Sequence, residues 1–318
     1  MGKSYEITML KNLSAGSSSY TSDILNHAIN PSGTRAIATS RQGVFTVFNI
    51  DTGECIEPDD SDCGDIWGVA LSKIDSFALT IAAPVKHIHS SDDYWFLGLW
   101  NIDEGELLSR FKIHPGCYFS ATSPDLRLAM AAHRGQISWW DPEEQKCLGS
   151  VANPHSLDVF RVAISDNGSL GASTSTQEVF LWDIVAKKAI NRIMLPKSGL
   201  LNKRKMVGAI RFGADHLYMG SNDGKLWVTD LSGNMLEIII DTGHKFWVEA
   251  FDIHEKSSLA ALLIWGGRLE LWDLYSGKLV GAVETDHKDR VFDIRIKPDA
   301  SSMLTAGKDG TVREWSIS

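Results

Sequence analysis

Residues 290–315 read Arg290-Val-Phe-Asp-Ile-Arg-Ile296, then Pro298-Asp299, then Ser302-Met-Leu-Thr-Ala306, then Lys308-Asp-Gly310, then Thr311-Val-Arg-Glu-Trp315. Apolar and β-branched residues alternate within each run, which is the period of a half-buried strand. Pro-Asp and Asp-Gly supply turn chemistry between the runs, and Asp-Gly is a strong short-range hairpin signal. The stretch therefore reads as three antiparallel strands closing on an aromatic residue. The same ending recurs upstream: Thr46-Val-Phe48-Asn49, Gly98-Leu-Trp100-Asn101, Ser138-Trp-Trp140-Asp141, Phe180-Leu-Trp182-Asp183 and Leu269-Glu-Leu-Trp272-Asp273. A further copy, Lys225-Leu-Trp-Val-Thr229-Asp230, keeps the acid but has Thr at the aromatic place. The polar markers fall at 49, 101, 141, 183, 230, 273 and 316, a period of about 40–45 with two enlarged members. After the marker a fourth strand follows a Gly-containing turn, as in Asp273-Leu-Tyr-Ser-Gly277 leading into Lys278–Val283. No helical period is sustained anywhere.

Period, Trp-Asp dipeptides and Asp-Gly turns together resemble the WD40 repeat family over nearly the whole chain. The resemblance implies an all-β, seven-bladed propeller of four-stranded antiparallel blades, forming one domain over residues 1–318. The last unit stops at Ser318 before a fourth strand. The strand-like run Ser4–Lys11 is expected to supply that strand, so that residues 4–11 complete the last blade and pair its edge. Insertions are expected at 84–95 and 196–206. The resemblance also implies a hydrogen-bonded structural relay, complete in the last unit as His287, Thr305, Asp309 and Trp315. The fourth unit keeps His155 and Trp182 but has Thr176 for the acid; the sixth keeps His244 and Trp272 but has Gly266; the fifth keeps Asp223 and loses the marker Trp.

Charge and composition narrow the function classes. The chain carries 31 basic and 40 acidic side chains, a net charge of −9, which disfavours direct binding of a nucleic-acid backbone. No apolar run reaches the ~18 residues of a membrane span. Cys55, Cys63, Cys117 and Cys147 have neither zinc spacing nor the density of a disulfide scaffold, which suits reduced thiols and a cytoplasmic or nuclear location. The N-terminus has no signal-peptide core and a poor myristoylation context. The sequons at Asn12 and Asn167 carry little weight without secretion. No nucleophile elbow, phosphate loop or cofactor motif appears, so no cofactor is expected. His87-Ile-His89 with Asp92 and Asp93 could hold a metal, although a solvated hairpin tip is the simpler reading.

Function is therefore expected on loops and strand ends. Aligning the opening strands on Phe292 gives Leu25, Trp67, Tyr118, Phe160, Gly208 and Glu249 in the first six units. The resemblance puts this position near the mouth of the binding face. Trp67, Tyr118 and Phe160, with Arg161, Phe292 and Asp293 beside them, form the candidate partner-binding set, because aromatic residues and Arg anchor interfaces. An acidic connection (Asp59, Asp60, Asp62, Asp65) and a basic one (Lys197, Lys203, Arg204, Lys205) would polarise that face. The expected role is a non-catalytic scaffold or adaptor, a monomeric propeller within an intracellular hetero-complex, holding a peptide or loop of a protein partner near blades two to four. One alternative is a reader of methylated tails through an aromatic cage. The other is an enzyme using the central channel.

Overall fold

A computed structural model describes the chain except residues 1–3, 15–23, 42, 59–62, 73–75, 85–93, 114–116, 124–125, 134–135, 153–154, 156–158, 160, 177, 197–204 and 288–289, and the side chains of 117–120 and 133. The chain opens with β1 (Ile7–Ser14). The first blade is β2 (Asn26–Ile29), β3 (Arg35–Thr39), β4 (Phe45–Asn49) and β5 (Cys55–Ile56). The second is β6 (Cys63–Leu71), β7 (Phe77–Pro84), β8 (Trp95–Asn101) and β9 (Glu106–Ile113). The third is β10 (Cys117–Thr122), β11 (Ala129–His133), β12 (Gln136–Asp141) and β13 (Lys146–Val151). The fourth is β14 (Arg161–Ile164), β15 (Leu170–Thr174), β16 (Glu178–Asp183) and β17 (Lys188–Met194). The fifth is β18 (Val207–Phe212), β19 (His216–Ser221), β20 (Lys225–Asp230) and β21 (Glu237–Asp241). The sixth is β22 (Val248–His254), β23 (Leu259–Ile264), β24 (Arg268–Asp273) and β25 (Lys278–Glu284). The seventh is β26 (Val291–Ile296), β27 (Ser302–Gly307) and β28 (Thr311–Ile317), with β1 as its outer strand. The only helix among the described residues is the single turn Glu255–Ser257, so none there is long and apolar enough to cross a membrane.

Each blade is an antiparallel meander in chain order, and each first strand touches the first strand of the next blade. β26 touches β2, which closes the circle, so the first strands line the axis. Among the described residues, seven buried apolar clusters fill the seven gaps between neighbouring blades. The recurring aromatic residue explains the period. Trp100, Trp140, Trp182, Trp272 and Trp315 each enter the gap between their own blade and the preceding one, and Phe48 does so for the first. Middle strands buried on both faces, such as Leu259–Ile264, read as unbroken apolar runs for the same reason.

Ring closure has a register signature. In β9, β17 and β25 the outer strand skips one residue opposite the Trp: Trp272 pairs with Leu279 while Leu271 pairs with Gly281. β1 repeats this β-bulge, since Trp315 pairs with Met9 and Glu314 with Lys11. The N-terminal strand is thus built like the outer strands of blades two to six. It starts and ends three residues later than the 4–11 expected from sequence, because Asn12, Leu13 and Ser14 find partners in Arg313, Val312 and Thr311. Tyr5, before the strand, donates its N–H to the Val280 carbonyl at 2.7 Å, tying the same segment to the sixth blade.

Candidate interaction surface

Strand order places the connections between blades and those between second and third strands on one rim; the other connections lie on the opposite rim. The position aligned on Phe292 has a backbone identity. Trp67, Tyr118, Gly208, Glu249 and Phe292 are each the extra residue of a β-bulge where the first strand leaves that rim. A bulge frees its residue from the ladder and re-aims its side chain.

The six sequence-derived candidates are not equivalent. Trp67 is half-buried, and its carbonyl accepts from Asn26 Nδ2 of the first blade at 3.0 Å. The Tyr118 side chain and all of Phe160 lie outside the described residues. Phe292 is half-buried and stacks on His27, centroids 5.6 Å apart. Arg161 opens β14. Burial and Arg290 lower its guanidinium pKa to about 10, with Asp293 and Glu249 acting in the opposite sense, so it remains charged at neutral pH. Asp293 is committed to the scaffold: its carboxylate accepts from the Ile29 N–H at 2.9 Å, the Ile294 N–H at 2.9 Å and Arg211 Nη2 at 2.6 Å.

That last bond matters for the channel. Arg211 lies on the fifth blade, passes the sixth, where its Nε donates to the Phe251 carbonyl at 2.6 Å, and reaches Asp293 on the seventh. Asp252 accepts from the Ile296 N–H at 2.8 Å and lies 3.4 Å from Arg295, whose other nitrogen donates to the Ile29 carbonyl at 3.2 Å. The axial carboxylates are thus occupied by guanidinium and backbone donors. Asp252 and Asp293 act as bolts across neighbouring blades.

The relay residues form a chain in the seventh blade. Trp315 Nε1 donates to Thr305 Oγ1 at 3.0 Å; Thr305 Oγ1 lies 2.9 Å from His287 Nε2; His287 Nδ1 lies 3.1 Å from Asp309. Other blades solve the same problem, a buried indole N–H, with other oxygens. Thr80 accepts from Trp100 at 3.0 Å and Ser173 from Trp182 at 2.9 Å, with His155 on the same hydroxyl. Burial holds His155 neutral, its pKa lowered to about 4. Ser138 serves Trp140 at 2.8 Å. In the sixth blade the buried Glu270 accepts from Trp272 at 3.1 Å, lies 2.9 Å from His244 Nε2 and pairs with Arg268. The loss of the marker Trp in the fifth blade is made good two residues earlier. Trp227 donates to Ser221, which donates to Asp223, and the buried Lys205 pairs with Asp223 at 3.3 Å and caps the Trp227 ring at 4.3 Å. Lys205, the end of the basic connection, therefore serves the core rather than the surface.

Asp65, of the acidic connection, is half-buried in β6; the rest of both charged connections (Asp59, Asp60, Asp62, Lys197, Lys203 and Arg204) and His87, His89, Asp92 and Asp93 lie outside the described residues. No cluster of metal-ligating side chains occurs among the described residues. Sequence reasoning passed over the most exposed aromatic group among the described residues of the bulge-bearing rim. Phe246 and Trp265 are 56% and 48% exposed and border a cleft of about 290 Å³ with Trp247, Asn222 and Lys245. Two signals pointed there: Trp247 and Trp265 fall outside the repeat's spacing, and Gly208 replaces the aromatic at the aligned position.

Comparison with known proteins agrees with this architecture. The family model described as WD domain, G-beta repeat matches residues 278–316, which run from the outer strand of the sixth blade through the seventh. The chain is 31% identical over 125 residues to WD repeat and SOCS box-containing protein 1 of Danio rerio, covering 33% of this chain and 28% of that protein. It is 22% identical over 178 residues to Autophagy-related protein 16 of Arabidopsis thaliana, covering 54% of this chain and 33% of that protein. It is 20% identical over 272 residues to the human Kinesin-like protein KIF21B, covering 74% of this chain and 16% of that protein. The matches thus span a third or less of these curated relatives.

Proposed function

We propose, from the premise that this chain is a WD40-repeat β-propeller, that it acts as a non-catalytic adaptor within an intracellular multiprotein complex, cytoplasmic or nuclear. Its rim of bulged first-strand residues holds a peptide or loop of a protein partner near blades two to four. Trp67, Tyr118 and Phe160 serve as the apolar anchors; Arg161 and Phe292 complete the set, and Asp293, bound to Arg211, Ile29 and Ile294, holds the scaffold under Phe292. The observation that carries the reading is the division of labour on the axis. Arg211, Asp252, Asp293 and Arg295 bind one another and the backbone, which favours a scaffold role for the channel, while the rim carries aromatic side chains on bulges. A rigid scaffold presenting variable loops loses little entropy when a partner docks. The test is affinity capture with quantitative mass spectrometry, comparing the wild type with the double variant Trp67→Ala/Phe160→Ala. Partners retrieved by the wild type and lost from a folded variant are expected. Equal retrieval by both would refute the assignment of blades two to four.

A further inference from the structure

The cleft on blades five and six is built in advance. Gly208 is the bulged residue of β18, and a Cβ there would lie 2.8 Å from the Trp247 ring. The missing side chain is the space that Trp247 fills. Trp265 sits on the turn Ile264-Trp265-Gly266-Gly267, where Gly266 has φ +102°, a conformation open to glycine. The Trp265 N–H donates to the Trp247 carbonyl at 2.9 Å, pinning the two connections together. Arg290 stacks 5.2 Å over the Trp265 ring while its Nε donates to Glu249 at 3.2 Å. One face of the indole is thereby fixed. Phe246 stands beside it, more than half exposed. Half-exposed aromatic rings held rigidly around a concavity are unusual on a surface without a partner.

The polar groups of the cleft decide what enters. Asn222 accepts from the Met206 N–H through Oδ1 at 3.1 Å, so its NH₂ is the group it offers to a ligand. Lys245 is exposed and lines the cleft. Both are donors. The surrounding carboxylates already face cations: Asp223 faces Lys205, Asp241 faces Lys225, Glu249 faces Arg290, and Glu270 faces Arg268. A cationic ligand would meet the Lys245 ammonium and no available carboxylate among these. A ligand with a carboxylate beside an apolar side chain satisfies both donors and fills the aromatic walls.

We infer that this cleft is a docking site for an acidic linear segment of a protein partner, one large apolar side chain entering between Phe246 and Trp265 and flanking Asp or Glu residues meeting Lys245 and Asn222. The inference rests on the interaction-platform reading but concerns a different patch of the same rim. It is tested by fluorescence anisotropy with two sets of short labelled peptides on the full chain. In one set a Leu, Ile or Phe is flanked by Asp and Glu; in the other the flanks are Lys or trimethyl-lysine. The acidic set should bind, and Trp265→Ala or Phe246→Ala should each weaken it by about tenfold or more. Lys245→Glu should weaken the acidic set and strengthen the basic one. Gly208→Val, which displaces Trp247, should also weaken the acidic set and is read only on protein that unfolds at the wild-type temperature. Equal or tighter binding of the lysine sets, no binding of the acidic set, or binding untouched by Trp265→Ala would overturn the inference. If the peptides fail but partners are still lost from Trp67→Ala/Phe160→Ala, only this cleft is wrong; if acidic peptides bind while that double variant retrieves partners as well as the wild type, only the placement on blades two to four is wrong.

Discussion

The relay of the seventh blade offers a stability test with a magnitude. Thr305 is fully buried, and its hydroxyl is the only link between Trp315 Nε1 at 3.0 Å and His287 Nε2 at 2.9 Å. With His287 Nδ1 facing the Asp309 carboxylate, the consistent proton arrangement has the indole donating to Thr305 and Thr305 donating to His287. Thr305→Val keeps nearly the same shape but leaves one buried donor and one buried acceptor without partners. At about 1–3 kcal/mol for each of the two orphaned groups, the expected loss is roughly 2–6 kcal/mol. Thr305→Ser keeps the hydroxyl and removes one methyl, so its expected loss is about 1 kcal/mol. Adding Trp315→Phe to Thr305→Val removes the orphaned indole N–H. The two substitutions should then cost at least about 1 kcal/mol less together than the sum of their separate effects. Urea unfolding followed by tryptophan fluorescence measures the wild type and the four variants, Trp315→Phe alone included. A loss below about 0.5 kcal/mol for Thr305→Val, or strict additivity in the double variant, would refute the relay as a source of stability.

Three further outcomes follow from other parts of the ring. A chain lacking residues 1–14 loses the strand paired to β28 and the Tyr5 bond to the sixth blade; it should unfold at a clearly lower urea concentration or self-associate through the bared edge, read by light scattering. Asp293→Ala removes the acceptor shared by Arg211, Ile29 and Ile294 and should cost at least about 2 kcal/mol in urea unfolding, because two backbone N–H groups lose their acceptor and the largely buried Arg211 guanidinium keeps only the Asp252 carboxylate, at 3.3 Å. The His27 imidazole is buried without a hydrogen bond, and burial, reinforced by His287, lowers its pKa to about 3. The unfolded chain takes up that proton near pH 6.5 while the folded one does not, so stability is full above about 6.5 and falls as pH drops from there towards 3, with His155 acting in the same sense down to about 4. His27→Leu should flatten the fall in melting temperature between pH 7 and pH 5; an unchanged slope would remove His27 from the explanation.

The fold was legible because its cause is periodic. One aromatic residue per blade fills the gap to the preceding blade, and that packing demand writes the spacing of Trp100, Trp140, Trp182, Trp272 and Trp315 into the sequence. The closing strand was legible in existence but not in extent, since its ends are set by where β28 offers partners rather than by its own pattern. The relays show where a fixed motif stops being informative. An indole N–H needs an oxygen, not a particular residue, and the chain supplies Thr80, Ser138, Ser173, Ser221, Glu270 or Thr305 as local packing allows. The aligned inner-strand position marked the bulges, yet identity alone did not say which side chains face outward. Asp293 looks like a surface acid in sequence and is a bolt across the ring; Lys205 looks like a surface base and is a buried counter-ion. Conversely, Trp247 and Trp265 carry no periodic signal, because their places are set by Gly208 and by a turn on a neighbouring strand.

The central functional claim is that partners meet the rim bearing the bulged residues. Lysine crosslinking of the captured complex followed by mass spectrometry reads this directly, because lysines mark the two rims separately. Lys245 and Lys308 belong to connections on the bulge-bearing rim; Lys146, Lys187, Lys256 and Lys278 belong to the opposite one. Crosslinks from the partner to Lys245 and Lys308, with few to the other four, are the expected result. A partner crosslinked chiefly to Lys146, Lys187, Lys256 and Lys278 would contradict it.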